Sequence, residues 1–151
     1  MSPASTVALL DVNVLVALFD PDHVHHDLAH DWFADHRRDG WATCDITEVG
    51  FLRVVSNPRY RADALRLAVA LGHLRKFCDA GHHRFWNDAV SLRDHRLFEL
   101  GAAHGHRQIT DVYLLGLAKR ADGMLATFDR SMPLAAVKGA RREHLTVIEP
   151  A

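Results

Sequence analysis

Four acidic residues stand at the borders of predicted strands and helices, and their types and spacing point to a definite chemistry. They are Asp11 in ALLDVNVL, Glu48 in DITEVGFL, Asp111 in ITDVYLLGLA and Asp129 in LATFDRSM. Carboxylates at equivalent edges of an α/β sheet can converge on one spot, where their charges repel each other unless a divalent cation joins them. The pattern is typical of a metal-dependent site that cleaves phosphodiester bonds.

Each of these acids also has an ordinary structural explanation, and the local sequence leaves both explanations open. Asp11 can cap the helix that follows it, and Glu48 stands three residues after Asp45, which is the spacing of a capping box. Asp111 can compensate a helix dipole, and Asp129 can be a turn residue. Each explanation suffices for one acid, but four acids at one predicted edge favour a shared site.

The elements that must position these acids follow from the hydrophobic periodicity of the chain. Short apolar runs predict strands at 7–10, 41–44, 82–86, 124–127 and 145–148. Helical spacing and stop signals predict helices at 13–19, 26–38, 45–56, 61–78, 91–101 and 109–120. The last of these helices is apolar almost all round, so we expect it to be central and buried.

Strands that alternate with helices predict an α/β domain of three layers, in which helices flank a central, mostly parallel β-sheet. Ligands of such sheets bind beyond the carboxyl ends of the strands. Asp11, Glu48 and Asp129 all follow predicted strands, and Asp111 begins a helix whose N-terminus can point to the same edge. The topology therefore predicts that the four acids meet.

The bulk composition is that of a single globular domain. The chain has 151 residues, 48% of them hydrophobic and 25% charged, with a net charge of −1. No apolar run reaches the roughly 20 residues of a membrane-spanning helix. The N-terminal stretch MSPASTVALL lacks the basic region of a signal peptide, so we expect a cytoplasmic protein. The absence of a basic excess disfavours a high-affinity duplex binder more than it disfavours an enzyme.

Histidines and cysteines are interpreted as structural or surface residues. The two cysteines, Cys44 and Cys78, stand far apart in apolar contexts and are expected in the core. The twelve histidines include the run at 22–26 and the pair His82–His83, which we interpret as surface or loop residues and not as a zinc site. Two groups of basic residues are either solvated surface or a rim of phosphate contacts: Arg53, Arg59, Arg61, Arg66 and Lys138, Arg141, Arg142.

Three stretches of the chain resemble a known family in order and spacing. LLDVNVLVALFD, ITEVGFLRVVSNP and HRQITDVYLLGLAKRADGMLATFD resemble the PIN-domain ribonucleases, in particular the VapC toxins of bacterial VapBC toxin–antitoxin pairs. The resemblance covers nearly the whole chain, although 59–103 match only in helical character. It implies one PIN domain over residues 1–151 with endoribonuclease activity, a homodimer, and a cognate VapB antitoxin whose C-terminal tail blocks the active site.

The resemblance also implies roles for individual residues. Asp11, Glu48, Asp111 and Asp129 would be an acidic quartet that holds Mg²⁺, with Mn²⁺ as a substitute. Asn13 and Thr110 would be supporting polar groups that orient these acids. An ion held by Asp11 and Asp111 would activate a water for attack on RNA, and Glu48 and Asp129 would complete the outer shell, hold a second ion or accept a proton. One- and two-metal mechanisms both stay open.

Other functions require other residues. A phosphatase of the haloacid-dehalogenase type needs a second aspartate two residues after Asp11, where this chain has Asn13. A non-catalytic RNA- or protein-binding module could use the same fold, although four clustered carboxylates would repel a phosphate backbone without metal. For an antitoxin helix, we expect either a groove or ordinary core packing at Trp32, Phe33, Phe51 and Leu52.

Overall fold

Five parallel strands form one central sheet in the order β3-β2-β1-β4-β5. The computed structural model describes residues 7–87 and 90–150. The strands are β1 Ala8–Leu10, β2 Trp41–Cys44, β3 His83–Trp86, β4 Met124–Thr127 and β5 Leu145–Val147. Central β1 pairs with β2 on one side and with β4 on the other. The predicted α/β sheet is confirmed, and every strand pairing in it is parallel. The N-terminal residues 1–6, on which the expectation about a signal peptide rests, lie outside the described residues.

Helices cover both faces of this sheet. They are α1 Val12–Phe19, α2 His26–His36, α3 Asp45–Val55, α4 Leu67–Asp79 and α5 Ile109–Arg120. One hydrophobic cluster joins β1 to α1, α2, α3 and α4 through Ala8 and Leu10. A second cluster packs α5 against the opposite face, where the intervening residue Leu9 points. Alternate residues of a strand face opposite sides, so β1 serves both clusters. In the part of the chain that the structure describes, no helix combines the length and apolar character that crossing a membrane requires.

Two predicted helices differ from the structure because tertiary bonds take up their backbone groups. The predicted helix at 91–101 is wrong: Lys138 N–H donates to Leu97 O, and Glu99 N–H donates to Ala136 O. The predicted helix at 61–78 begins only at Leu67. Ahead of it, the Leu65 backbone N–H donates to Val55 O at the end of α3, and the Arg61 side chain forms ion pairs with Asp20 and Asp63. The residues before Leu67 are therefore held as a loop against the end of α3.

The predicted antitoxin groove is corrected as well. Phe33 and Phe51 are only 4% and 3% exposed and belong to the core cluster around α1. Trp32 and Leu52 are half-buried against the same cluster. Ordinary core packing therefore explains Phe33 and Phe51, so neither residue is available to line an antitoxin groove.

Close packing of α5 makes Gly116 sensitive to substitution. A Cβ atom at this position would lie 2.3 Å from the ring of buried Phe98. We expect Gly116→Ala to destabilise the protein by about 1–3 kcal/mol, because the core must shift to admit the methyl group. Urea unfolding measures the change. Gly72→Ala in α4 is the matched control, because no atom beyond its chain neighbours and the backbone of its own helix lies within 4 Å of its Cβ position. A Gly116→Ala variant that is as stable as the wild type would contradict this packing.

Candidate active site

Three of the four predicted acids come together at the carboxyl edge of the sheet. Asp11 directly follows β1 and is the N-cap of α1. Asp129 follows the neighbouring strand β4, and Asp111 lies in the first turn of α5. Asp111 and Asp129 share a side-chain hydrogen bond, and the charge of Asp11 also acts on Asp111. Adjacent parallel strands end at one edge, so the topology places these acids together.

Thr127 fixes the relative positions of two of these acids. Its hydroxyl donates a hydrogen bond of 2.8 Å to Asp11 Oδ2 and accepts one of 3.1 Å from the backbone N–H of Asp129. Thr127 is 1% exposed, so these bonds are shielded from water. Sequence reasoning missed this residue, although a threonine two residues before the strand-end aspartate is a visible signal.

Asp11 and Asp129 also have the local roles predicted for them, a helix cap and a turn residue, in addition to their place in the shared site. Asp11 Oδ1 accepts a hydrogen bond of 2.7 Å from the backbone N–H of Val12, as a capping residue does. Asp129 Oδ1 accepts hydrogen bonds from the Ser131 backbone N–H at 2.8 Å and from the Ser131 hydroxyl at 2.6 Å. A carboxylate has about four lone-pair positions. These bonds orient the two acids and leave acceptor positions for a ligand.

The electrostatics of the three acids favour a bound cation. Burial, followed by the negative charges of Asp11 and Asp129, raises the pKa of Asp111 to about 7. Burial also raises the pKa of Asp11, whereas hydrogen bonds from Ser131 lower the pKa of Asp129. The cluster thus holds a proton between carboxylates that repel each other. Oxygen ligands in this arrangement fit Mg²⁺ or Mn²⁺, whose charge would replace the proton.

Glu48 lies in the first turn of α3, and its carboxylate is hydrogen-bonded to a residue outside the aspartate cluster. Its Oε2 accepts a hydrogen bond of 2.7 Å from the Thr43 hydroxyl. One of its carboxylate oxygens lies within 4.8 Å of ligand atoms of Cys78 and His83.

The capping box predicted for Asp45 and Glu48 is wrong, because α3 begins one residue earlier than that pairing requires. Cys44 is its N-cap, and Thr47 accepts from the Cys44 backbone N–H. Membership of Glu48 in the metal-binding quartet stays a prediction.

The two predicted supporting residues are exposed. Asn13 lies in the first turn of α1. Thr110 lies in the first turn of α5, whose N-cap is Gln108. It lines a cleft with Val12 and Arg53 beside the aspartates. The placement of both residues leaves their orienting role a prediction.

A cleft of about 390 Å³ opens over two of the aspartates. Asp111, Asp129 and Ser131 form one side, and the segment 104–108, with sequence HGHRQ, forms the other. This segment brings His104, His106 and Arg107 next to the acids. Residues 106–108 are part of the resemblance seen in the sequence but were given no role there, although Arg107 stands only four residues before Asp111. The cleft can accept a phosphate between Arg107 and a bound ion.

Comparison with known proteins gives a consistent family. Residues 8–138 match the PIN domain. Ribonuclease VapC44 of Mycobacterium tuberculosis (strain CDC 1551 / Oshkosh) is 44% identical over 141 residues, which are 93% of this chain and 99% of that protein. Ribonuclease VapC39 of the same strain is 41% identical over 132 residues, covering 87% and 95%. Ribonuclease VapC38 of strain ATCC 25618 / H37Rv is 45% identical over 123 residues, covering 82% and 85%.

The matched region contains every element that carries the site. It begins in β1, directly before Asp11, and extends past Asp129. The fold, the order of the acidic residues and the relatives all agree with the resemblance seen in the sequence. The chain belongs to the PIN-domain family, in its VapC ribonuclease branch.

Proposed function

We propose that this protein is a Mg²⁺-dependent endoribonuclease that acts as the toxin of a type II toxin–antitoxin pair. The observation that carries the proposal is the convergence of Asp11, Asp111 and Asp129 beside a cleft lined by Arg107, in a chain whose relatives are named ribonucleases. A thiol or hydroxyl nucleophile is not required, because metal-activated water can hydrolyse a phosphodiester bond.

The three aspartates would hold the ion, with Mn²⁺ as a substitute for Mg²⁺. The bound ion would lower the pKa of a water and neutralise charge on the scissile phosphate. Asp11 is kept in place by Val12 and Thr127, and Asp129 by Thr127 and Ser131. Carboxylates that are already held in position lose little conformational freedom when an ion binds.

Cationic side chains on two sides of the aspartates would bind the RNA backbone. Arg107 lines the cleft above Asp111, and Arg53 lines the neighbouring cleft with Thr110. Contacts of this kind position a nucleic acid without reading its sequence. Arg61, by contrast, is engaged in ion pairs with Asp20 and Asp63. We therefore assign phosphate contacts to Arg53 and Arg107.

Cleavage of a mixed cellular RNA pool tests the proposal. The wild-type protein is expected to produce discrete cuts with Mg²⁺ or Mn²⁺ and none with EDTA. Asp11→Asn should lose these cuts, because the change removes one charged metal ligand. In the wild type, hydrogen bonds from Val12 and Thr127 hold this ligand in place. Full metal-dependent cleavage by the variant would remove Asp11 from the site. Metal-independent RNA binding without cleavage in the wild type would favour the binding-module alternative.

The partners proposed for the protein follow from its family. We infer a homodimer, and a VapB-type antitoxin whose C-terminal tail occupies the active-site cleft. We also infer a single PIN domain over the chain and a cytoplasmic location, where both RNA and an antitoxin are accessible. Co-expression with a cognate VapB-type antitoxin should relieve growth inhibition by the protein, and light scattering should give twice the mass of the chain.

A further inference from the structure

We propose that Gln108 is a positioning residue, which bridges the cleft over the aspartates and thereby holds the segment that carries Arg107 in place. One side of this cleft is the segment 104–108, and the other includes Asp129 and Ser131. The Gln108 side chain is hydrogen-bonded to both sides. This role deepens the proposed nuclease function and rests on it, because Arg107 is assigned there a phosphate of the RNA.

The two bonds of the Gln108 amide join backbone groups of separate segments. Its Oε1 accepts a hydrogen bond of 2.7 Å from the His104 backbone N–H, and its Nε2 donates one of 3.3 Å to the backbone O of Ser131. A backbone N–H can only donate and a carbonyl oxygen can only accept, so these partners fix the orientation of the amide. Ser131 lies 23 residues further along the chain, so the second bond is a tertiary contact.

Helix capping does not explain the glutamine at this position. Gln108 is the N-cap of α5, but its side chain makes no capping bond to that helix. Ser, Thr, Asp and Asn are preferred at N-caps, because their short side chains reach the free N–H groups of the first turn. Glutamine is longer, and its length lets the amide reach Ser131 instead. The residue type therefore fits a bridge better than a cap.

The bridge closes the segment around Arg107. The bond to His104 ties the first residue of the segment to its last, and the Gln108 backbone N–H donates to Gly105 O at 3.1 Å. Gly105 has a φ of 150°, which glycine adopts readily, so the chain can fold back at this point. Arg107 lies inside the closed loop and lines the cleft. Its backbone is therefore held, although the residue itself is exposed.

The other end of the bridge is connected to a proposed metal ligand. The backbone N–H and the hydroxyl of Ser131 both donate to Asp129 Oδ1, and the Ser131 carbonyl accepts from Gln108. A chain of hydrogen bonds thus runs from Asp129 through Ser131 and Gln108 to His104. It sets the spacing between the carboxylate that would hold the ion and the segment whose arginine would bind the phosphate. Attack on a phosphate depends on such spacing, since the reacting groups must be held in one geometry.

Replacement of Gln108 by methionine removes both bonds and nearly keeps the length of the side chain. Gln108→Met is expected to lower kcat/KM for RNA cleavage at saturating Mn²⁺ by about tenfold, since a displacement of about one ångström can cost up to about a hundredfold. Mn²⁺ affinity should be unchanged, because Asp129 keeps its bonds to Ser131. Asn57→Leu is the matched control and should cut like the wild type. The Asn57 amide also accepts a backbone N–H, that of Arg59 at 2.9 Å, but Asn57 does not line the cleft.

A double-mutant cycle with Arg107→Met separates positioning from a general effect on the fold, and urea unfolding checks that each variant is folded. If Gln108 acts through Arg107, Gln108→Met should cost less than about twofold in a chain that already carries Arg107→Met. Losses that multiply in the double variant would overturn the proposal, as would wild-type kcat/KM in Gln108→Met. A fall in Mn²⁺ affinity as large as the fall in kcat/KM would also overturn it, because Gln108 would then act through Asp129. A wild-type protein that cuts no RNA would instead overturn the proposed function.

Discussion

Asp111→Asn is expected to lower RNA cleavage by about 10²–10⁴-fold, because the change removes a charged ligand from the proposed metal site. A metal ion that neutralises developing charge contributes several kcal/mol to transition-state stabilisation, and each 1.36 kcal/mol corresponds to a factor of about ten. Single-turnover cleavage at saturating Mn²⁺ measures the loss.

The same variant is expected to be more stable than the wild type when metal is absent. At pH 8 the negative charges of Asp11 and Asp129 repel Asp111, whose pKa is raised to about 7. Asparagine at this position carries no charge, so we expect a gain of about 0.5–2 kcal/mol in EDTA. Asp27→Asn is the control, because Asp27 is also an acid in a first helical turn, that of α2. Lower stability of Asp111→Asn than of wild type in EDTA would contradict the repulsion.

Metal affinity is expected to rise about a hundredfold between pH 5 and pH 7 and then to level off. The raised pKa of Asp111 means that a proton occupies the cluster below pH 7. The ion must displace this proton, so affinity changes by about tenfold per pH unit in that range. Mn²⁺ binding followed by electron paramagnetic resonance gives the affinity at each pH.

The stability of the metal-free protein should change in the opposite direction. The pKa of Asp111 is about 7 in the folded protein and 3.8 is its ordinary value, so the native state binds the proton more tightly. This contribution to stability is complete below about pH 4 and is lost as the pH rises through 7. The contribution of Asp111 should therefore make the free energy of unfolding, measured with urea in EDTA, lower at pH 8 than at pH 5.5. Identical pH dependence in Asp111→Asn would show that another group is responsible.

Much of the site was predictable because it depends on local patterns and on one topological rule. Short apolar runs located β1, β2 and β4, and parallel strands end at a common edge. Asp11 and Asp129 follow two strands that proved to be neighbours. Their convergence with Asp111 then required only that α5 begin beside that edge.

The remaining features depend on contacts between distant parts of the chain. The helical pattern at 91–101 did not become a helix, because Leu97 and Glu99 bond the segment around 136–138. The partner of Asp11 is Thr127, which is 116 residues away in the sequence. The direction of the Glu48 side chain depends on Thr43, and on its neighbours Cys78 and His83. No periodicity within one segment encodes such pairings.

The bond between Thr127 and Asp11 also sets when the site can exist during synthesis. The first acid of the cluster leaves the ribosome early, but the strand that fixes it, β4, comes near the end of the chain. An incomplete polypeptide that stops before β4 lacks both Thr127 and Asp129. For a toxic nuclease we expect from this order that chains which end before β4 are inactive, and that the activity appears only when a nearly complete protein has folded.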